Sequence, residues 1–450
     1  MHWDPKLISK YNINGPRYTS YPTALALQES FEQQHIPNTL NKGPHELSLY
    51  VHIPFCHKLC YYCGCNKVIT RHQHKADIYL DALAKEMALY SPVVREKHIS
   101  QLHLGGGTPT FLTEIQLSRL MGCIEQYFNL QKDAEISIEI DPRSCSDEKL
   151  IHLRQLGFNR VSYGVQDLDE NVQIAINRVQ NTDLIRHQIE LSRQLGFDSL
   201  NLDLIYGLPF QRPESFAQTL QQIVALSPDR ISLFSYAHLP ERFASQRKLD
   251  NNHLPDARLK LQLQQMGINT FVDAGYQFIG MDHFAKPDDA LAKAQQQGKL
   301  QRNFQGYTTA GQDALIGLGV SSISQVKGVL WQNHKALTEY YQAVNQGNLP
   351  VERGFRLGVD DKLRAALISQ LICHFELDIL TFSKQWQIAD FWQYFTTAYQ
   401  QLSPFIQDGL VAVSKDRITV NANGRLWVRS ICACFDAYLT QGQQRYSKVV

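Results

Sequence analysis

Three cysteines, Cys56, Cys60 and Cys63, lie in one short segment with three and then two residues between them. Thiolates at this spacing can hold a metal ion or an iron–sulfur cluster on a single loop. A four-iron cubane that is held by three cysteines keeps one iron open, and this iron can bind and activate a small molecule. The spacing therefore predicts a three-cysteine cluster site.

A fourth cysteine, Cys65, follows two residues after Cys63. A thiol this close to Cys63 is badly placed to complete the same cubane, so we expect it to be a neighbour of the cluster and not a ligand. The alternative is a four-thiolate zinc site made from all of these cysteines. Such zinc sites usually pair two separated CxxC hooks, so the crowded spacing favours the cluster.

The composition fits a globular protein of a reducing compartment. The chain has 450 residues, 44% of them hydrophobic, which is enough for a large core and for two or three domains. Lys and Arg (44) balance Asp and Glu (43), so the charge does not favour nucleic acid or an acidic membrane. Nine cysteines, four of them in one loop, do not resemble a secreted disulfide framework. Because there is no apolar run of signal-peptide or membrane-spanning length, we expect a cytoplasmic protein.

Strand-like runs alternate with helix-like segments from residue 47 to about residue 236. The runs are LSLYVHI (47–53), ISQLHLGG (99–106), AEISIEID (134–141), NRVSYGVQ (159–166), SLNLDLIYGLP (199–209) and DRISLFSYAHLP (229–240). Six such units predict an α/β fold with a parallel sheet.

The pattern within the runs indicates what kind of sheet this is. In the third run three isoleucines share one face and polar residues the other, and in the fifth run three leucines oppose Asn201 and Asp203. A polar inner face with room for ligands favours an incomplete (β/α)6 TIM-like barrel over a fully packed eight-stranded one. A partly exposed edge face is the alternative.

Ligands of such folds bind at the C-terminal ends of the strands. The cysteine loop follows the first strand, and the glycine run 105–107 follows the second, where missing side chains let a ligand approach the backbone. The residues that we expect around the same opening, at the ends of the next four strands, are Glu139, Gln166, Asp203 and Ala237.

A set of separated, ordered motifs resembles a known family. The motifs are PRYTSYPTA (16–24), SLYVHIPFCHKLCYYCGCNK (48–67), GGGTP (105–109), FNRVSYGVQD (158–167), NLDLIYGLP (201–209), YAHLP (236–240), GYQFIGMDHFAKPDD (275–289) and NFQGYTT (303–309). The cysteine loop and glycine run resemble radical S-adenosylmethionine enzymes. The full set, from about residue 11 to the C-terminus, resembles their oxygen-independent coproporphyrinogen III dehydrogenase family.

The resemblance implies roles for particular residues. Cys56, Cys60 and Cys63 would bind a 4Fe–4S cluster, with S-adenosylmethionine on the remaining iron. The positions that match contacts to this first S-adenosylmethionine are Tyr50, Gly106, Glu139 and Ile323. The positions that match a second S-adenosylmethionine site are Tyr62, Gly107, Thr108, Gln166, Arg178, Asp203 and Ala237. Outside this family context, Arg178 would as readily be a surface charge and Ile323 a core residue.

The reaction implied by the resemblance is an oxidative decarboxylation without oxygen. Two propionate side chains of coproporphyrinogen III become the vinyl groups of protoporphyrinogen IX, in haem biosynthesis. A deoxyadenosyl radical from S-adenosylmethionine takes a propionate β-hydrogen, and carbon dioxide and one electron then leave. An electron donor and an electron acceptor of unknown identity are the expected partners, with no nucleic acid and no membrane, and the expected state is a monomer.

Two other classes of function compete with this enzyme. Paralogous proteins share the three-cysteine loop but bind and deliver haem, and they usually lack both the PRYTSYP arm and a cysteine at the position of Cys65, which this chain has. A zinc-stabilised winged nucleic-acid binder is the third class. It would be colourless, whereas the enzyme would be brown from its cluster.

We expect an N-terminal arm (1–35), a barrel domain with a capping extension (36–355) and a mainly helical, winged-helix-like C-terminal domain (356–450). The segment 408–435 predicts a two-stranded wing followed by a helix, in which Cys432 and Cys434 are packing residues. Arg17 and the aromatic rings of the arm can pair with a carboxylate and stack on a tetrapyrrole. Our hypothesis is that the arm closes over the substrate opening. The alternative is an arm that packs on the outside of the barrel.

Overall fold

The structure is a computed structural model of the chain. It describes residues 7, 10–11, 15–311 and 313–439. The chain divides into two compact units. The larger unit comprises Leu27–Tyr276 and Ala310–Arg356, and the smaller comprises Met1–Ala26, Gln277–Thr309 and Leu357–Val450.

The helices of the described residues, in chain order, are α1 (His35–Asn41), α2 (His74–Val94), α3 (Glu114–Tyr127), α4 (Asp147–Gln155), α5 (Glu170–Ala175), α6 (Thr182–Gln194), α7 (Pro213–Leu226), α8 (Ala257–Asp273), α9 (Ala290–Gln296), α10 (Leu337–Asn345), α11 (Val359–His374), α12 (Ile379–Trp386), α13 (Phe391–Tyr394), α14 (Thr396–Gln407) and α15 (Val428–Ala433). None of the helices described is long and apolar enough to cross a bilayer.

The strands of the same residues are β1 (Glu46–Ile53), β2 (Phe55–Cys56), β3 (Val68–Ile69), β4 (His98–Gly106), β5 (Asn129–Ile140), β6 (Arg160–Gln166), β7 (Ser199–Tyr206), β8 (Arg230–Ser235), β9 (Gln277–Gly280), β10 (His283–Ala285), β11 (Gln301–Asn303), β12 (Gly306–Thr308), β13 (Ala314–Leu318), β14 (Ile323–Val326), β15 (Val329–Asn333), β16 (Val351–Arg356), β17 (Glu376–Asp378), β18 (Val411–Val413) and β19 (Arg417–Val420).

The larger unit is built on one open sheet in the order β16–β15–β14–β13–β1–β4–β5–β6–β7–β8. All neighbours from β13 to β8 are parallel. The pairs from β13 to β16 are antiparallel. Strands β16 and β8 lie at opposite ends of this order, so the sheet does not close. The predicted incomplete barrel of six βα units is confirmed, with β1, β4, β5, β6, β7 and β8 as its six strands.

The alternation seen in the sequence becomes the two faces of this sheet. In β5 the side chains of Ile136, Ile138 and Ile140 are buried, whereas Ser137 and Glu139 between them are only partly buried. Strand β7 repeats this arrangement, with buried leucines and partly buried polar residues. Because successive side chains of a strand point to opposite faces, the apolar face forms the core and the polar face stays available to a ligand.

Local signals set the ends of the helices that separate the strands. At the start of α4, the Ser146 hydroxyl accepts a hydrogen bond from the N–H of Lys149, a cap of about 1 kcal/mol. Leu150 and Leu153 then bury one face of the helix. The chain leaves the helix at Gly157, whose φ of +93° suits a residue without a side chain.

Strands β13 to β16 extend the sheet on the side of β1, which the sequence did not predict. Strand β13 is entirely buried and pairs in parallel with β1 through Ser48 and Leu315, among others. These strands are short and contribute to the sheet from far along the chain. Their role therefore depends on long-range pairing that local patterns do not show.

The smaller unit contains the predicted wing. Strands β18 and β19 pair antiparallel and α15 follows them, as expected, but β17 adds a third strand on the other side of β19. Cys432 and Cys434 are buried, in keeping with packing. In the arm, Arg17 forms an ion pair with Asp282 at 2.8 Å. The closing of the arm over the substrate and the three domain bounds stay predictions.

Candidate functional site

The cysteine loop leaves the C-terminal end of β1 and is held by the short parallel pair β2–β3. The N–H of Val68 donates to the C=O of Pro54 at 2.7 Å, which closes the base of the loop. Cys56 and Cys60 are buried and Cys63 is half-buried. The loop is therefore a fixed element that presents three thiols from one end of the sheet.

The second half of the loop is tied to the segment that follows β8. The Ser245 hydroxyl donates to the C=O of Cys63 at 2.8 Å, and the Gln246 amide donates to the C=O of Tyr62 at 2.9 Å. Cys65 is exposed, and its N–H lies 3.4 Å from the Cys63 sulfur. The expectation that Cys65 is a neighbour of the cluster and not a ligand stays a prediction.

The thiols open into a cavity of about 260 Å³ at the C-terminal ends of the parallel strands. Its lining residues are Cys56, Lys58, Cys60, Tyr62, Cys63, Cys65, Lys67, Gly106, Gly107, Thr108, Pro109, Glu139, Ile140, Asp141, Ser162, Gly164, Gln166, Arg178, Asp203, Ile205 and Phe234. All of them belong to the larger unit.

Most of the residues singled out in the sequence meet in this cavity. The three predicted cluster ligands line it. The predicted cofactor contacts that also line it are Tyr62, Gly106, Gly107, Thr108, Glu139, Gln166, Arg178 and Asp203. The structure thus brings together residues from the loops and ends of five different strands, although their individual roles stay predictions.

Tyr50, Ala237 and Ile323 are not among the lining residues. The Tyr50 hydroxyl lies 3.0 Å from Nδ1 of His52 on the same strand. The C=O of Ala237 accepts a hydrogen bond from Gln246, the residue that also binds the cysteine loop. Ile323 begins β14, at the β13 side of the sheet. Their predicted cofactor contacts remain predictions.

The glycine run brings backbone to the cavity wall where a side chain has no room. A Cβ on Gly106 would lie 2.6 Å from the ring of His52, and the φ of this residue is +113°. A Cβ on Gly107 would lie 2.8 Å from the C=O of Pro54. The N–H of Gly106 donates to Glu139 at 3.2 Å, which joins the run to the end of β5.

Two carboxylates of the inner face have different surroundings. Glu139 is partly exposed, and its Oε1 lies 3.4 Å from Nε2 of His103. Burial, and next the charge of Glu139, raise the pKa of Asp203 to about 6, although hydrogen bonds from Asn201 and Ser162 oppose the rise. Both carboxyl groups can accept hydrogen bonds from ligand hydroxyls.

Beside these carboxylates, an ion cluster lies against the second cysteine. Asp141 binds Arg143 at 2.7 Å and Arg178 at 3.1 Å. Burial alone would raise the pKa of Asp141, but the charges of Arg178 and Arg143 lower it to about 2. Both guanidinium groups also reach the sulfur of Cys60, at 3.6 Å from Arg143 and 3.5 Å from Arg178.

The sequence predictions missed Asp141, Arg143 and Ser162. Asp141 directly follows the last residue of β5, at the end of the sheet where ligands bind. Ser162 is one of the partly buried residues that alternate with buried residues along β6. For both, strand position was a usable signal. Arg143 belongs to none of the motifs, and it lies 83 residues along the chain from Cys60, which it contacts.

Comparison with known proteins gives two family matches. The family model described as Radical SAM superfamily matches residues 50–223, and the one described as HemN C-terminal domain matches residues 357–427. The first match begins within β1 and contains the cysteine loop and the next four strands of the barrel, β4 to β7. The second match begins two residues before α11 and ends before α15.

Curated relatives match over the whole chain. The oxygen-independent coproporphyrinogen III oxidase of Salmonella typhimurium is 52% identical, covering 100% of this chain and 98% of that protein. The protein of the same name from Pseudomonas aeruginosa is 48% identical, with coverages of 100% and 99%. The solved structure of coproporphyrinogen III oxidase (HemN) from Escherichia coli matches at 51% identity with a TM-score of 0.93, covering 98% of this chain and 100% of that chain.

The open parallel sheet, the three-cysteine loop at the end of its first strand and the superfamily match define a radical S-adenosylmethionine enzyme, which uses a 4Fe–4S cluster and S-adenosylmethionine. Within this class, the full-length relatives show that the chain belongs to the family of oxygen-independent coproporphyrinogen III oxidases. The predicted enzyme is confirmed, in preference to the haem carrier and the zinc-stabilised nucleic-acid binder.

Proposed function

We propose that this chain converts coproporphyrinogen III to protoporphyrinogen IX without oxygen, as a step of haem biosynthesis. Each of two propionate side chains loses a β-hydrogen atom, carbon dioxide and one further electron, and becomes a vinyl group. The observation that carries the proposal is the cavity, where the three predicted cluster ligands, a glycine run and the carboxylates of Glu139 and Asp203 meet, in a chain 52% identical to an enzyme named for this substrate.

The lining residues fit a 4Fe–4S cluster. Cysteine thiolates are its usual ligands, and Cys56, Cys60 and Cys63 line one cavity from a fixed loop. Within the residues described, no three Cys, His, Asp or Glu side chains gather around one point to hold a single metal ion. A cubane places each cysteine on a separate iron, so it needs no such convergence. The donor set therefore suits a cluster held by three cysteines.

The cluster and S-adenosylmethionine, when bound, supply the one-electron chemistry that removes hydrogen from an unactivated carbon. The residues of the chain hold and orient the reactants. Gly106 and Gly107 offer backbone groups at close range. Glu139 and Asp203 offer acceptors for hydroxyl groups such as those of a ribose. Arg178 can pair with a carboxylate.

We further propose the two S-adenosylmethionine sites that the family motifs imply, with Glu139 in the first and Asp203 in the second. Supporting this division, the two carboxylates lie on different strands, β5 and β7, and both line the cavity. Equilibrium binding to the cluster-loaded protein should show two S-adenosylmethionine molecules per chain. Asp203→Asn should leave one tight site, and loss of both sites or of neither would contradict the division.

The proposed activity is tested by anaerobic reconstitution with iron and sulfide, followed by S-adenosylmethionine, a chemical reductant, an electron acceptor and coproporphyrinogen III. We expect a brown protein, deoxyadenosine and a product that oxidises to protoporphyrin IX. A protein that binds haem tightly and forms neither product would be a carrier. The need for an external electron donor and an electron acceptor, the monomeric state and the cytoplasmic location stay predictions.

A further inference from the structure

Two guanidinium groups converge on one of the three cysteines of the loop. Nη2 of Arg143 lies 3.6 Å from the Cys60 sulfur, and Nη1 of Arg178 lies 3.5 Å from it. Both lengths are within the range of a hydrogen bond to sulfur. The sulfur of Cys56, by contrast, accepts a hydrogen bond from the uncharged Thr108 hydroxyl at 3.3 Å.

The position of Arg143 is set by its own backbone and by one carboxylate. Asp141 caps the short 3-10 turn Pro142–Ser144 by accepting the N–H of Arg143 at 3.1 Å. The same carboxylate accepts from Nε and Nη2 of Arg143 at 3.0 and 2.7 Å. A guanidinium bound twice by one carboxylate has a fixed direction, so its remaining N–H stays aimed at the sulfur.

These charges are poorly screened by water. The side chains of Arg143, Asp141 and Arg178 are 16%, 13% and 7% exposed. Two cations and one anion leave a net charge of +1 beside Cys60. In such surroundings a charge acts on its neighbours more strongly than it would at the protein surface.

Reduction adds an electron to a cluster, and hydrogen bonds and positive charge at its thiolate ligands stabilise the reduced form. We propose that Arg143, held by Asp141, is a positioning residue that raises the reduction potential of the 4Fe–4S cluster through Cys60. This inference rests on the proposed function, because it takes Cys60 as a cluster ligand. Arg178 contributes in the same direction, but the family motifs also assign it a cofactor contact, so Arg143 is the better residue to test.

The test compares variants of the full-length protein, reconstituted anaerobically without S-adenosylmethionine. Arg143→Gln removes the charge of the side chain. Arg143→Met removes both the charge and the hydrogen bond but keeps a side chain of similar size. Arg143→Lys keeps the charge but lacks the planar guanidinium group that binds Asp141 through two nitrogens. Arg186→Gln is the matched control, because Arg186 is an exposed arginine that binds Asp183 and does not line the cavity. Iron and sulfide content are measured first, and the midpoint potential is then measured by a redox titration followed by electron paramagnetic resonance.

We expect full iron content in all variants. In Arg143→Gln and Arg143→Met the ratio of reduced to oxidised cluster at a given potential should fall about tenfold, a shift of about 59 mV to more negative potential for one electron. Arg143→Lys should lie between these variants and the unmodified protein, and Arg186→Gln should not shift. A salt bridge with a purely structural role would leave the potential of a fully loaded cluster unchanged.

An unchanged potential in a fully loaded Arg143→Gln or Arg143→Met protein would overturn the inference. Failure of both neutral variants to assemble a cluster would also overturn it, since Arg143 would then be needed for the structure of the loop. The proposed function has a separate point of failure. If the unmodified protein assembles no cluster or forms no product, the proposed function is wrong, whereas normal turnover with an unshifted potential contradicts only the role of Arg143.

Discussion

The four cysteines of the loop differ in position, and we expect three of them to bind the cluster and the fourth to lie beside it. Cys56 is buried against Thr108, whereas Cys65 is exposed and touches the cavity from the edge of the loop. We predict that Cys56→Ser abolishes cluster assembly and that Cys65→Ser keeps it, as measured by iron and sulfide per chain and by the brown colour. Loss of the cluster in Cys65→Ser would show that the ligand set is wrong.

Gly106 illustrates how a backbone position constrains the site. Its φ of +113° and the nearby His52 ring leave no room for a Cβ, and strained backbone of this kind costs about 1–3 kcal/mol. We predict that Gly106→Ala lowers the free energy of unfolding by at least that much and weakens S-adenosylmethionine binding.

The matched control for this substitution is Gly122→Ala in α3, where an added Cβ meets nothing within 4 Å. This change should be neutral or stabilise the protein by up to about 1 kcal/mol, because Ala favours a helix over Gly. Denaturant unfolding and equilibrium binding measure both variants. Equal effects of the two substitutions would contradict the steric argument.

The parts of the site that could be predicted from the sequence are those whose residues lie close together along the chain. The cysteine spacing and the glycine run are contiguous, and both lie where they were expected, in the cavity wall. Arg143 acts on Cys60 across 83 residues, and no periodicity connects such a pair. The contact exists only because β5 pairs with β4, which in turn pairs with β1, so it became visible only in the folded chain.

At the scale of elements, a buried carboxylate joins α2 to the β13–β16 part of the sheet. Glu86 is fully buried and accepts hydrogen bonds from the N–H of Gly319 (2.7 Å), the Asn333 amide (2.7 Å) and the Tyr340 hydroxyl (2.6 Å). Burial raises its pKa to about 7, although these hydrogen bonds oppose the rise. In the unfolded chain the ordinary value of 4.5 returns.

This difference makes stability depend on pH. Between pH 4.5 and 7 the folded protein holds a proton on Glu86 that the unfolded chain has lost, so the contribution of this group to stability is present at low pH and is lost as the pH rises. The loss amounts to about 3 kcal/mol for a shift of this size. Glu86→Gln, which cannot ionise, should unfold with a flatter dependence between pH 5 and 8. Parallel curves for the two proteins would contradict this assignment.

The elements themselves were predictable to different degrees. Strands β5 and β7 follow the alternation in the sequence, because each has a buried apolar face and a partly buried polar face. Strands β13 to β15 are almost wholly buried, and a short apolar run of this kind does not reveal its partner. The parallel pairing of β13 with β1 was therefore not foreseen.

At the scale of the whole molecule, the cavity belongs entirely to the larger unit, while the described part of the arm up to Ala26 belongs to the smaller one. The arm contacts that unit through Arg17 with Asp282 and through Tyr18 with Asp436. Deletion of residues 1–24 should therefore lower the stability of the smaller unit but leave cluster assembly intact. We also expect slower decarboxylation, which follows from the predicted role of the arm at the substrate.

Thermal unfolding, iron content and product formation measure these three effects on the same preparation. The substitution Tyr399→Phe, at an exposed tyrosine of the smaller unit, is the control for a surface change in that unit. Unchanged turnover after the deletion would show that the arm has no part in the reaction. Loss of the cluster would show that the arm is required by the larger unit.

The central claim is that a deoxyadenosyl radical formed in this cavity takes a hydrogen atom from the propionate β-carbon of coproporphyrinogen III. It is tested most directly with substrate deuterated at that carbon, and with mass spectrometry of the deoxyadenosine that forms during anaerobic turnover. The account predicts deoxyadenosine that carries one deuterium, together with loss of the same label from the vinyl product. Deoxyadenosine without deuterium, formed while the substrate stays intact, would contradict it.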